Sequence, residues 1–575
     1  MQQNIKLSVK NMQNVDYSES LIVHFRRVET LRKEALALKN IDLSGRQLAD
    51  IELLLNRGMY PLVGYMDQEE YESVLDSMKL KDGTIFPLPI CLDVNEKTAK
   101  EITIGERVAL NDQEGVLLAI LTVSDIWQVD VQREAEAIYG TIDPQKHPDV
   151  QRFFGSPANW YIGGALEGIS LPVHYDFQQL RYTPSETVRR FTMNGWRKVL
   201  GFHTDDYLHC AHREMVVTAA REAGAAILLH PVADLSHPGD LDHYTQVRCY
   251  QHFVEKFPPN MIMLGLMPFY SRKAGPRAAL WQAIIRKNFG CSHFMVAEDH
   301  ADPFINGNNR FYDKGTAQRL VEDYAEETGI AMVPQRNMRY LPEEKRYVDF
   351  GFKGDSQGET ISSEELHRRL TMGEHIPEWF SYPDIVEELR HTFPPRSKQG
   401  FTVFMTGLSG SGKSTIAKVL LVKFLEMRDR PVTLLDGDIV RKNLSSELTF
   451  TKEHRNLNIT RIGFVASEIT KNGGIALCAP IAPYEASRQA NRELISRCGG
   501  YIEVYVSTPL EVCEQRDRKG LYARARAGIV KGVTGVTDPY DAPQNPDIVL
   551  DTTEITPMEA VQEILLYLQQ QGYIV

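Results

Sequence analysis

The chain has 575 residues, 43% hydrophobic and 24% charged, and 64 basic against 76 acidic side chains give a net charge of -12. At roughly 150 residues per domain this predicts three or four domains, and it excludes a disordered chain, a collagen-like repeat and a small disulfide-stapled scaffold. An acidic balance argues against general nucleic-acid binding, which needs basic surface to displace counterions, and no run approaches the roughly 18 apolar residues of a membrane span.

In chain order, the opening MQQNIKLSVKNMQNV lacks the apolar core of a signal peptide. Residues 1–175 read as a mixed, β-rich domain with strand-type stretches such as GTIFPLPICLDV and GVLLAILTVSDIW. Residues 176–390 alternate: KVLGF, AAILLHPV, NMIMLGLMP, SHFMVAE and IAMVP read as buried strands separated by helical segments, hence a second α/β domain with its site at the strand ends. HTFPPRSKQG, residues 391–400, is a Pro/Gly-rich seam and a domain boundary. Residues 400–575 alternate again through FTVFMT, PVTLLD, IALCAP, YIEVYVST and IVLDT, predicting a doubly wound parallel sheet. The seven cysteines, Cys91, Cys210, Cys249, Cys291, Cys478, Cys498 and Cys513, contain no CxxC pair. Reduced thiols and a cytoplasmic location are the expectation.

Chemistry concentrates in the last domain. GLSGSGKST, residues 407–415, follows a strand and opens an amphipathic helix on which Ile416, Val419, Leu420 and Phe424 recur. Gly407, Gly410 and Gly412 let the amides of this loop, with Ser409, Ser411 and Thr415, turn inward around the phosphates of ATP. Lys413 reaches the outer phosphates and Ser414 ligates the accompanying Mg²⁺. The next strand ends in LLDGDIVRKNL. There Asp436 and Asp438 can take a hydroxyl proton or hold metal, and Arg441 can pair with an anionic substrate, although DGD would equally cap a helix. RDRKGLYARARAGIVKG gathers Arg516, Arg518, Lys519, Arg524, Arg526 and Lys531, read either as a mobile lid or, for the middle arginines, as a solvated face.

These motifs, with TKEHRNLNITRIGFVASEI, CAPIAPYEASR, VYVSTPLEVCEQRDRKGLY and DPYDAPQNPDIVLDT, resemble adenylyl-sulfate (APS) kinase over essentially all of 400–575. The resemblance implies phosphoryl transfer from ATP to the 3′-hydroxyl of APS, giving PAPS. It assigns Asp436 and Asp438 to the acceptor hydroxyl and metal, and Arg441, Phe450, Arg455, Asn458 and Lys531 to APS. Val533 stands where the family carries a second stacking aromatic. Residues 20–390 resemble ATP sulfurylase (sulfate adenylyltransferase), through NRGMYPLVGYMDQEEY, KDGTIFPLPICLDV, LLHPVADLSHPGDLDHYTQVR, RKAGPRAALWQAIIRKNFGCSHF and MGEHIPEWFSYPDI. The implied architecture is a PUA-like amino-terminal domain, an α/β nucleotidyltransferase-like domain and a phosphate-loop kinase. Family members are commonly homo-oligomers.

In GFHTDDYLHCAHRE, His209 and His212 lie three apart on one helical face beside a helix amino terminus, a place for anions. The catalytic motifs nevertheless depart from the family: HTDDY, carrying His203, Asp205 and Asp206, replaces QTRNP, and AEDHADPF, carrying Glu298, Asp299 and His300, replaces GRDHAGPG. Two arginine-to-carboxylate changes shift the local charge by four units toward negative. At about 5 Å and an effective dielectric of about 20, each unit pair is worth on the order of 3 kcal/mol against a bound anion. Three expectations compete. Arg248, Arg272 and Arg277 compensate and sulfate is still activated; the acid-and-imidazole cluster, with His203, Asp205 and Asp206, holds an additional divalent metal or a cationic substrate for new chemistry; or the domain has become a structural or regulatory partner of the kinase. A nucleotide-sensing scaffold without phosphorylated product is the non-enzymatic alternative.

Overall fold

The computed structural model describes residues 20–204, 207–232, 243–304, 309–352, 358–517 and 519–574. Asp205 and Asp206 of the candidate cluster, Arg518 of the basic segment and 233–242 of LLHPVADLSHPGDLDHYTQVR lie outside the described residues. The chain forms two compact units, one up to Thr360 with Pro377–Glu388, the other Ile361–Ile376 with Leu389 onward. The helix Ser363–Met372 joins the second unit because it packs on the segment that follows Leu389: His367 meets the Phe393 ring at 5.5 Å and Arg390 donates to Glu374 O at 3.0 Å.

The first unit holds a six-stranded sheet, a five-stranded sheet and the antiparallel pair Met338–Leu341 with Arg346–Asp349. Its six-stranded mixed sheet runs Lys39–Asp42, Arg107–Asn111, Leu117–Gln128, Trp160–Gly168 and Gly64–Tyr65, with Leu92–Val94 also paired to Trp160–Gly168. GVLLAILTVSDIW forms the long strand Leu117–Gln128, whereas GTIFPLPICLDV yields only Leu92–Val94. Pro87 and Pro89 lack the amide hydrogen a ladder needs, so the earlier part stays irregular. The second sheet is wholly parallel, in the order Ala331–Pro334, His293–Val296, Val199–Phe202, Ala226–Leu229, Ile262–Leu264. The expected domains 1–175 and 176–390 share one apolar cluster, in which Leu54, Phe86 and Leu121 pack with Trp281, Ile285 and Phe289 of helix Gly275–Asn288.

In the second unit five parallel strands run Val432–Asp436, Ile475–Ala479, Phe401–Thr406, Gly500–Val506, Ile548–Leu550. Every residue of the central strand Phe401–Thr406 is buried, which is why FTVFMT shows no alternation. In both parallel sheets the first strand in sequence lies between neighbours reached in opposite directions, the switch point where open α/β sheets bind ligands. Among the described residues no helix is long and apolar enough to cross a membrane.

Candidate active sites

Where the central strand of the second unit stops at Thr406, the chain must turn tightly under Val506. Gly407 has φ +147° and a Cβ there would lie 2.4 Å from Val506 O; Gly410 has φ +79° with Cys513 O 3.0 Å from the Cβ position. Only glycine meets both demands. Helix Lys413–Met427 then buries Ile416, Ala417, Leu420 and Phe424, leaving Ser414 and Thr415 exposed on its first turn. Lys413 is buried, and its Nζ donates to Gly407 O at 2.9 Å, Leu408 O at 2.7 Å and Ser411 Oγ at 3.3 Å. Burial pushes its ammonium down to about 8. The loop is braced from outside its own sequence. Ser411 O accepts from Thr552 Oγ1 at 2.9 Å, Arg516 donates to Thr552 Oγ1 at 2.8 Å, and the Tyr522 hydroxyl donates to Ser409 O at 2.8 Å.

At the neighbouring strand end Asp436 combines a helix cap with a spare carboxylate oxygen. Its Oδ1 caps helix Gly437–Asn443 by accepting from Asp438 N at 3.0 Å, while its Oδ2 is buried without a hydrogen-bond partner. A buried carboxylate oxygen left unsatisfied fits a cation, so Asp436 and the Ser414 hydroxyl are the residues that suit Mg²⁺. Asp438 is exposed and paired with Lys519. The Arg441 guanidinium lies 4.3 Å over the Phe450 ring, which is 66% exposed; burial and the nearby Arg455 push the Arg441 pKa down. Asn458 is buried with its Oδ1 unpaired, and Lys531 is exposed.

Arg455 is engaged within the protein: Nη1 reaches Thr534 Oγ1 at 2.8 Å and Asp538 Oδ2 at 2.7 Å, Nε reaches Phe450 O at 2.9 Å, and Nη2 reaches Gly532 O. Val533, standing where the family carries a second aromatic, is buried with Cys513, Tyr522 and Ala525. The basic segment divides by residue. Arg516 braces Thr552, Lys519 holds Asp438, and the exposed Arg526 pairs with Glu514 while Arg524 faces solvent.

In the first unit, His203 follows the strand Val199–Phe202 and His300 follows its neighbour His293–Val296, and their rings lie 6.2 Å apart. His209 is the N-cap of helix Cys210–Ala223 and His212 its third residue; His212 Nδ1 accepts from His209 N at 3.3 Å, and their rings are 4.1 Å apart. Phe380 stacks on His209 at 4.4 Å. Burial pushes His209 well down and His212 to about 4, so at neutral pH both are uncharged hydrogen-bonding groups. His300 is buried and bonded through Nε2 to Gln282 Oε1 at 3.1 Å.

Of the two carboxylates behind the expected negative shift, Glu298 is described and Asp205 lies outside the described residues. Glu298 pairs with Lys314 at 2.8 Å and Asp299 with Arg310 at 3.2 Å. The three arginines expected to compensate are engaged elsewhere: Arg272 with Asp50 at 3.0 Å and over Trp281, Arg277 with the carbonyls of Val74, Leu75 and Pro87, Arg248 with Glu388 at 2.6 Å. Among the described residues, the one trio of ligand-type atoms within metal-binding reach is His252, Glu255 and Asp384, outside the expected cluster. Lys256 already pairs with that Asp384. Sequence reasoning missed Lys314, Arg310, Phe380, Tyr522 and Asp538, whose partners lie far off in the chain or carry no motif.

Comparison with known proteins matches the domains of both units. Residues 17–171 match a PUA-like domain family, 178–392 ATP-sulfurylase and 399–551 adenylylsulphate kinase. A sulfate adenylyltransferase of Mycosarcoma maydis is 47% identical over 95% of this chain and 96% of its own, and one of Aspergillus oryzae is 46% identical over the same shares. The solved structure of a hexameric APS kinase from Thiobacillus denitrificans superimposes with a TM-score of 0.79 at 36% identity, covering 97% of this chain and 98% of its own. With both units matched end to end by such relatives, the chain belongs to the family of fused ATP sulfurylase–APS kinase transferases.

Proposed function

We propose that the second unit transfers the γ-phosphoryl of ATP to the 3′-hydroxyl of adenylyl sulfate. The observation that carries this reading is the pairing of a phosphate loop whose lysine lies on its own carbonyls with a neighbouring strand end where Asp436 keeps a buried, unpartnered oxygen. The loop amides and the amino terminus of helix Lys413–Met427 bind the phosphates, and the Lys413 ammonium exchanges its carbonyl partners for phosphate oxygens. Ser414 and Asp436 would hold the Mg²⁺ that accompanies ATP, which would supply neutralising charge at the phosphates. Asp438, released from Lys519, accepts the proton of the 3′-hydroxyl as the new O–P bond forms and the bond to the ADP oxygen breaks. Arg441, Arg455, Asn458 and Lys531 meet the anionic acceptor, and Phe450 offers its exposed ring to the base. Lys413→Ala and Asp438→Asn are expected to lower PAPS formation from supplied adenylyl sulfate by about 100-fold or more. Near-normal turnover in either variant overturns the role given to that residue, and ATP binding with no phosphorylated product returns the scaffold reading.

For the first unit two readings stand. Sulfate activation, in which the neutral His209 and His212 bond the phosphates of a second ATP, is supported by the name of the fungal relatives. Loss of sulfate activation is favoured by the engagement of Arg248, Arg272 and Arg277 away from the imidazole pair. It also accords with the Thiobacillus denitrificans relative, a protein named for kinase activity alone. Incubating the full chain with ATP, sulfate and pyrophosphatase decides between them: rapid formation of adenylyl sulfate or PAPS supports the first, silence beside a kinase active on supplied adenylyl sulfate the second. Elemental analysis of the purified protein tests the additional divalent metal at His203, Asp205 and Asp206. We place the chain in the cytoplasm as a homo-oligomer, on the support of its seven free cysteines and of that hexameric relative.

A further inference from the structure

A polar junction beside the acceptor residues contains a carboxylate to which no motif assigns a role. Arg455, 9% exposed, uses Nε for Phe450 O, Nη1 for Thr534 Oγ1 and Asp538 Oδ2, and Nη2 for Gly532 O. Four of its five N–H donors are thus engaged, leaving one on Nη2. The same Asp538 oxygen accepts the Tyr484 hydroxyl at 2.9 Å. Asp538 also closes its own turn, donating N–H to Val533 O at 3.1 Å and accepting from Gly535 N at 2.8 Å. On its other side the turn borders a cavity of about 580 Å³, lined in part by Leu408, Tyr505, Leu510 and Tyr540. Val533 and Val536 pack with Leu408, Leu510 and Tyr522, while the polar junction ties the turn to Arg455 of helix Lys452–Lys471.

Charge gives the junction its direction. Arg441 and Arg455 converge on Phe450, one over its ring and one on its carbonyl, and two like charges so close repel unless a counter-charge stands by. Asp538 supplies it for Arg455 through a charge-assisted bond. We propose that Asp538 is a positioning residue of the acceptor site: through Arg455, with Tyr484 as its second anchor, it aims the remaining Nη2 hydrogen at the anionic end of adenylyl sulfate. The inference rests on the kinase reading above.

The test uses the full chain with saturating ATP and varied adenylyl sulfate. Asp538→Asn, which preserves shape and removes charge, is expected to raise KM for adenylyl sulfate about tenfold while KM for ATP stays within about twofold. Tyr484→Phe is expected to shift it in the same direction by about threefold, and Asp538→Glu to recover part of the loss. Because Asp538 acts through Arg455, adding Asp538→Asn to Arg455→Gln is expected to change KM by less than about twofold. Equal rises in both KM values, effects that multiply in the double variant, or no change in Asp538→Asn overturn the proposal. Wild-type turnover is measured first: its absence overturns the kinase reading and this inference with it, whereas an active wild type with an unaltered variant overturns the inference alone.

Discussion

Lys413 shows what burial does to a residue any motif search would find. Its ammonium, enclosed by the loop, is pushed down to about 8 before phosphate arrives. Phosphate oxygens favour the charged form, so ATP binding above that pH must draw a proton from solvent. Calorimetry at pH 8.5 in buffers of differing ionisation enthalpy is expected to show proton uptake on ATP binding, small at pH 7 and absent in Lys413→Met; equal uptake at both pH values would falsify the assignment. Loop residues such as Gly407 and Lys413 were legible from sequence because their geometry is set within a few positions. Arg455 was not: its carboxylate partner lies 83 residues along the chain, and a cation reads the same whether its counter-charge is a substrate or an aspartate.

At the scale of elements, the short helix Leu521–Arg526 turns a charge-rich segment into a brace for the loop Gly407–Ser414. Asp517 accepts from Leu521 N at 2.8 Å, Tyr522 N at 2.8 Å and Ala523 N at 3.0 Å, fixing the helix start. Tyr522 is then buried with its hydroxyl on Ser409 O of the phosphate loop. Tyr522→Phe keeps the ring and removes one hydrogen bond of about 1 kcal/mol, so KM for ATP is expected to rise about two- to fivefold with kcat nearly unchanged. Steady-state kinetics check this; a change confined to kcat argues against the brace. The strands were legible as apolar runs, since a buried parallel strand needs no alternation. What the basic segment does was not, because charge alone cannot distinguish Arg516, which braces Thr552, from Arg526, which pairs with Glu514 at the surface.

Over the molecule as a whole, the first unit is one body with buried charge inside it. Glu134 is enclosed, accepts the hydroxyls of Tyr71 at 2.9 Å and Tyr161 at 3.0 Å, and is pushed up to about 7 by burial. Its folded form therefore binds more protons than the unfolded chain between about pH 4.5 and 7, and its contribution to stability falls as pH rises through that window, by on the order of 3 kcal/mol at most. Glu134→Gln cannot ionise, so its melting temperature relative to wild type is expected to improve steadily from pH 5 to 7.5; a constant offset counts against the buried acid. From sequence alone came the order of the modules, the apolar strands, the phosphate loop and the imidazole pair, all properties written within a few neighbouring residues. Tertiary structure alone decided that Glu298 and Asp299 meet Lys314 and Arg310, that Arg272 belongs to Asp50, and that Asp538 holds Arg455. Coulomb attraction and desolvation depend on distance through space, and separation along the chain does not report that distance.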